Sequence, residues 1–236
     1  MKNPDPVVPH ELHPLAAEIL ELLRSRPEAA PIILGGGVAL QHYCSFRQTN
    51  DIDAWWKMAP DSRTQLAIQN AMNEVAASHG YSLKVREWGE TQSYELQHQE
   101  KTIFSFQIAI RTKELDPPRP SHWDPVQIET FRDNLAAKMN AVVSRGAPRD
   151  FLDVAEVCQR GLATPEDCWG LWKAKNPELT LRAAKANVVR HLEQLESRRP
   201  LASIQDAEER SQATTVRLWL REQLCQEVHR GHERGR

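Results

Sequence analysis

Between Gly35 and Asp53 the chain reads GGGVALQHYCSFRQTNDID, a stretch that holds two kinds of residue suited to charged ligands. Asp51 and Asp53 stand two apart in DIDAWW, which reads as a strand, and alternate residues of a strand leave the same face. Two carboxylates on one face suit a hard cation such as magnesium. Gly35, Gly36 and Gly37 end the apolar run PIIL and open a helix-like segment, where main-chain N–H groups and the positive end of the helix dipole attract phosphate oxygens. Without a Cβ, Gly36 and Gly37 let a triphosphate approach the backbone closely. Each signal alone also describes an ordinary turn or a solvated loop edge. Joined on one strand–turn–helix–strand unit, they describe a phosphate-and-metal site.

A second group of charged residues lies in LAAKMNAVVSRGAPRDFLDVAEV. Lys138 falls three residues after Leu135 and four before Val142, inside the apolar stripe of a helix. An ammonium in that place needs an anion, either Asp150 or a nucleoside triphosphate. The competing reading has Lys138 snorkelling from the helix edge to solvent. Arg145 reads as a loop cation, and Asp150 also suits the acidic first turn of the next helix. His42, one helical turn after Val38, reads as a packed histidine, and His229 and His232 in the basic tail are poor zinc candidates.

The elements that must position these groups change in type along the chain. LHPLAAEILELLRS carries Leu15, Ile19, Leu22 and Leu23 on one helical stripe. VALQHYCSF continues the glycine turn as helix, and Asp61 caps a further helix that Gly80 ends. SLKVREW, SYELQHQ and TIFSFQIAI alternate as strands, with QEK as a hairpin turn between the last two. The four prolines of LDPPRPSHWDP mark a boundary, after which helix formers dominate. Beyond it, Phe131, Leu135, Val142 and Val143 define one helix, and Phe151, Val154, Ala155 and Cys158 another. Thr164 with Asp167 resembles a capping box, and Leu181, Ala184, Val188 and Leu195 form the next stripe. A last helix over roughly 203–228 turns Val216, Trp219, Leu220 and Leu224 inward. The expected class is α+β: a small mixed β-sheet core with flanking helices, then a C-terminal helical domain. The expected organisation is a loose tail over 1–12, the core over 13–120, the helical domain over 121–230 and a basic tail over 231–236.

Composition excludes several classes. The 236 residues carry 30 Lys and Arg against 32 Asp and Glu, so any nucleic-acid contact must be local. Between Lys173 and Arg199 seven basic residues face three acidic ones, which suits either an RNA backbone or a solvated helix face. Cys44, Cys158, Cys168 and Cys225 form no Cys-x-x-Cys pair, which argues against a zinc knuckle or a disulfide framework. No apolar run approaches the roughly 20 residues of a membrane span, and MKNPDPVVPHELHP lacks a signal-peptide core. A cytoplasmic protein with no membrane contact is expected.

In register, Gly36, Gly37, Val38, Ala39, Leu40, His42, Arg47, Thr49, Asp51 and Asp53 resemble the signature of the AbiEii/AbiGii toxin-type nucleotidyltransferases, a branch of the DNA polymerase β-like superfamily. Lys138, Arg145, Gly146, Arg149, Asp150 and Asp153 are similar to the same family's second block, so the resemblance spans Gly35 to Val157. It implies a nucleotidyltransferase core completed by the helical domain, moving a nucleoside monophosphate from a nucleoside triphosphate to an acceptor with magnesium. It further implies metal ligands Asp51 and Asp53, triphosphate contacts from Gly36, Gly37, Arg47, Thr49 and Lys138, and catalytic roles for Asp51, Asp53, Lys138 and Asp150. An RNA or tRNA acceptor, toxicity and a cognate antitoxin partner belong to the same implication. The superfamily often adds a third carboxylate on a neighbouring strand, here expected to be TIFSFQIAI, whose Ser105 and Gln107 point away from its apolar face. Gln107 is no base. This leaves open catalysis with Asp51, Asp53 and a helper such as Asp150, substitution by Glu95, or a degenerate nucleotide- or partner-binding protein.

Overall fold

A computed structural model describes residues 3–9, 12–111 and 113–226; His229, His232 and the 231–236 tail lie outside them. The fold is mixed α/β, and among the described residues it has a seven-stranded mixed sheet and eight α-helices. The chain divides into two compact units, one up to Ala137 and one from Lys138 onward. None of the described helices is long and apolar enough to cross a membrane.

The first unit runs α1 (Pro14–Arg24), β1 (Ile32–Leu34), α2 (Gly36–Gln41), β2 (Asp51–Trp56) and α3 (Ser62–His79). It continues with β3 (Ser82–Trp88), β4 (Thr91–His98), β5 (Lys101–Ile110), β6 (Arg119–Pro120) and β7 (Gln127–Ile128). In space the strands lie β3-β4-β5-β2-β1-β7-β6. Of the pairings, β2 with β5 and β1 with β7 are parallel and the others antiparallel. Alternation sets the core: Ile52, Ala54 and Trp56 of β2 and Phe104, Phe106 and Ile108 of β5 are buried together with Ile19 and Leu23 of α1 and Ile68 and Met72 of α3. As expected, Asp61 caps α3 through Arg63 N and Thr64 N, and Gly80 ends it at φ +69°. The β4–β5 hairpin turns at Gln99 and Glu100, both at positive φ, the backbone of a two-residue turn that matches strand twist.

Three features of the first unit depart from the sequence expectation. The helix through VALQHYCSF stops at Gln41, whose side chain donates to Arg47 O at 2.8 Å and folds the following loop back toward β2. The proline-rich boundary contributes β6 and β7, two residues each, and Leu34 pairs with Ile128. The N-terminal stretch, expected to be loose, is hydrogen-bonded, with Val7 N donating to His42 O at 2.9 Å and Arg119 to Pro4 O at 3.1 Å.

Helix α4 (Phe131–Ser144) carries the chain from one unit into the other. The second unit then contains α5 (Pro148–Gln159), α6 (Pro165–Lys175), α7 (Leu181–Arg198) and α8 (Ala207–Trp219), which ends in a π turn over Leu220–Leu224. The Thr164/Asp167 capping box forms at α6. The stripe of α7 is Ala184, Val188 and Leu192, whereas Leu181, expected inward, is 39% exposed in the first turn. Val216, Leu220 and Leu224 are buried, and Trp169 Nε1 donates to Leu224 O at 2.7 Å. The four cysteines are free thiols.

His42 is a packed histidine, as expected: it is 3% exposed and lies edge-on to Trp123. Its Nδ1 is 2.9 Å from Val38 O and must carry the proton, because a carbonyl only accepts. Burial pushes its pKa down to about 4. The unfolded chain takes up this proton near the usual 6.5, so the His42 contribution is complete above that pH and is lost as pH falls toward 4. Across this window stability should fall by on the order of 3 kcal/mol. Denaturant melts should register that fall in wild type and a flatter profile in His42→Phe; parallel profiles would contradict the assignment.

Candidate functional site

The acid strand is built by register. Asp51 pairs with Ser105 and Asp53 with Gln107 across the parallel β2–β5 ladder, while Ile52 and Ala54, on either side of Asp53, face the core. Asp51 and Asp53 are therefore half-buried on the opposite face of β2, together. Thr49, itself buried, donates its hydroxyl to Asp51 Oδ1. The glycine turn lies against Asp53 and Thr49. A Cβ at Gly36 would fall 2.1 Å from Asp53 Oδ2, and one at Gly37 would lie 3.0 Å from Thr49 Oγ1. Gly36 also sits at φ +56°, so both its backbone and its surroundings require glycine. Arg47 is half-buried nearby in sequence, with Nη1 donating to Gln48 O at 3.2 Å and its guanidinium 5.9 Å from the Phe46 ring centroid. The first unit thus brings Gly36, Gly37, Thr49, Asp51 and Asp53 into one constellation.

Among the described residues, no three His, Cys, Asp or Glu side chains are grouped to hold a metal. Asp51 and Asp53 nonetheless fit magnesium, which at nucleotides uses one or two carboxylates and completes its shell with phosphate oxygens and water. The space that a Cβ at Gly36 would fill is the approach to Asp53.

Sequence reasoning missed what holds the turn. The side-chain amide of Asn134 donates to Gly36 O at 2.9 Å and to Glu129 Oε1 at 2.7 Å. Glu129, fully buried, accepts from Trp55 Nε1 at 3.0 Å through its other oxygen. The Trp55 ring closes over the turn, since a Cβ at Gly35 would fall 2.3 Å from Trp55 Nε1. Beside them Arg111 pairs with the buried Asp133, which also accepts from Leu115 N and Asp116 N. Glu129 and Asn134 are 93 and 98 residues from Gly36, and no local sequence signal ties them together.

Gln107 lies where the sequence places it, on the acid face beside Asp53, with its amide donating to Ser105 Oγ at 3.4 Å. Ser93 pairs with Gln107 and Glu95 with Ser105 one strand further on. Glu95 is thus two strands from Asp51, about 10 Å by strand spacing. Its carboxylate is held by Arg86 at 3.1 Å and by Thr102 at 3.1 Å, which opposes its serving as the third acid.

In the second unit Lys138 is inward, as expected, with a side chain only 11% exposed. Its partner is Asp153, at 2.7 Å, rather than Asp150. Asp150 is occupied by Arg145, which grips both its oxygens at 2.7 and 2.9 Å and so is more than a loop cation. The cause is local: Gly146 at φ +56° turns the chain so that Arg145 meets the first turn of α5, leaving Asp153 for Lys138.

A family model described as Nucleotidyl transferase AbiEii toxin, Type IV TA system, matches residues 19–221. No match to the chain is found among curated proteins.

Gly36→Ala and Asn134→Ala test the turn, with Gly80→Ala at the end of α3 as a control. Gly36→Ala and Gly80→Ala both place alanine at positive φ, at about 1–2 kcal/mol each, but only the first meets another atom, Asp53. Gly36→Ala should therefore lower the denaturation midpoint more than Gly80→Ala; equal losses would contradict the close approach. Asn134→Ala strips the partner from the buried Glu129 Oε1, at about 1–3 kcal/mol, and from the carbonyl of the half-buried Gly36; an unchanged denaturation midpoint would contradict the brace.

Proposed function

We propose, because the chain belongs to the AbiEii nucleotidyltransferase toxin family, that it moves a nucleoside monophosphate from a nucleoside triphosphate to an acceptor and releases pyrophosphate. The family is one of nucleotidyltransferase toxins of type IV toxin–antitoxin systems. The observation that carries the proposal is the constellation on β2: two carboxylates on one face with a glycine turn against Asp53.

In this reading Asp51 and Asp53 hold magnesium, which when bound neutralises phosphate charge and aligns the in-line displacement. Thr49 fixes one oxygen of Asp51, leaving the carboxylate pre-oriented. Gly36 and Gly37 present backbone N–H groups to phosphate oxygens, and Arg47 and Thr49 add donors. RNA or tRNA is the acceptor this reading favours, and an antitoxin its partner. Lys138 and Asp150 are assigned to the triphosphate and to proton transfer on the family motif alone. Within the second unit they are paired with Asp153 and Arg145.

Gln107 favours a second reading, a protein that binds nucleotide without turnover. It occupies the register position beside Asp53 where a third carboxylate would stand, and an amide cannot take the acceptor's proton.

Calorimetric titration with magnesium and each nucleoside triphosphate tests the metal assignment. Asp51→Ala with Asp53→Ala should weaken binding at least about tenfold, or 1.4 kcal/mol, with an unchanged circular dichroism spectrum. Unchanged affinity would remove it. Lys138→Ala should reduce affinity more than Arg145→Ala, and equal effects would remove Lys138 from the triphosphate. Gln107→Asp should raise the rate of nucleotide transfer to RNA above that of wild type. If wild type binds nucleotide without transfer and only Gln107→Asp transfers, the binding-protein reading stands instead.

A further inference from the structure

The second unit contains a cavity of about 250 Å³ whose walls include Phe151 and Leu152 of α5, Leu195 of α7, Ile204, and Val216 of α8. The charged groups in its lining are unbalanced: Arg149, Arg199 and Arg217 against Glu209. Arg199 and Glu209 satisfy one another at 2.8 Å. Arg217 is different. It is 6% exposed and makes one hydrogen bond, from Nη2 to the carbonyl of Arg199 at 2.8 Å, with no ion pair to a carboxylate among the described residues. Glu196 acts on it only from a distance and is itself paired with Arg221. The other guanidinium nitrogens of Arg217 are not among the sealed, unpartnered atoms and line an open cavity. A cation there without a counter-ion, beside apolar walls, presents free donors to an anion.

We propose that this cavity binds a small organic anion, a carboxylate or phosphate group carried on an apolar body, with Arg217 receiving the anionic head and Phe151, Leu195 and Val216 the body. The volume sets the size. It lies below the roughly 300–1,000 Å³ of pockets for drug-sized ligands, so it matches a single ring with its acid group better than a whole nucleoside triphosphate. Charge and wall together set the class. A neutral apolar molecule would leave Arg217 without an anion, and a bare inorganic ion would leave the apolar wall wet. The site is independent of the acid pair on β2.

Thermal melts of the full chain with benzoate, phenyl phosphate, inorganic phosphate and benzyl alcohol at equal concentration test the proposal. At least one of benzoate and phenyl phosphate should raise the midpoint clearly more than inorganic phosphate does, and benzyl alcohol should leave it unmoved; the stronger of the two acids identifies the head group. Calorimetry with that acid should give affinity at least about tenfold weaker in Arg217→Met. Ala213→Leu, which fills the cavity while keeping Arg217 and its bond to Arg199, should remain folded and lose binding equally. Asp51→Ala with Asp53→Ala should bind the acid as wild type does. The proposal is overturned if neither acid stabilises wild type, if inorganic phosphate alone matches them, if Ala213→Leu binds normally, or if the Asp51/Asp53 double variant loses binding.

Discussion

The side-chain amide of Asn134 spends one hydrogen on the carbonyl of Gly36 and the other on the carboxylate of Glu129, and the rest of the acid site depends on this pair of bonds. A trans peptide is planar, so fixing the Gly36 carbonyl also fixes the N–H of Gly37 on the opposite side. The turn can be held this close to β2 only because Gly36 has no Cβ to strike Asp53. Glu129 in turn is a fully buried carboxylate, tolerable only when its oxygens are satisfied. Asn134 and Trp55 supply those bonds, so the groups that hold the turn also satisfy one another.

The placement of Asp51 and Asp53 has a complementary cost. Two carboxylates two residues apart on one face repel. Thr49 relieves one of them by donating to Asp51. A divalent cation relieves both, so the unit is arranged to be stabilised by the ion that its proposed chemistry requires. The parallel β2–β5 register then decides what stands beside the acids: Ser105 and Gln107, both neutral. Any third charge must come from elsewhere in the chain or from the ligand.

Much of this was legible in the sequence because its signals are local. Glycines before a helix start, Asp-x-Asp in an alternating strand, and the capping residues Asp61 and Thr164 each act within a few residues of themselves. The neighbour strand was legible too, since the alternation of TIFSFQIAI fixes which face Gln107 takes. What escaped was non-local or degenerate. No local signal marks Glu129 and Asn134, and only the fold shows that they reach Trp55 and Gly36. Asp150 and Asp153 share one face of α5, so spacing alone could not choose between them; the grip of Arg145 on Asp150 decides it. Strands β6 and β7, two residues each, are too short to alternate, and the inward stripe of α7 drifts to Leu192.

The central claim is nucleotidyl rather than phosphoryl transfer at the Asp51/Asp53 face, and the position of a radiolabel separates them. Wild-type protein incubated with magnesium, total cellular RNA and nucleoside triphosphates labelled at the α-phosphate should place label on RNA, while the same triphosphates labelled at the γ-phosphate should release it as pyrophosphate. Label reaching an acceptor from the γ-position, or none from the α-position with any of the four nucleotides under conditions where nucleotide is bound, would contradict the account.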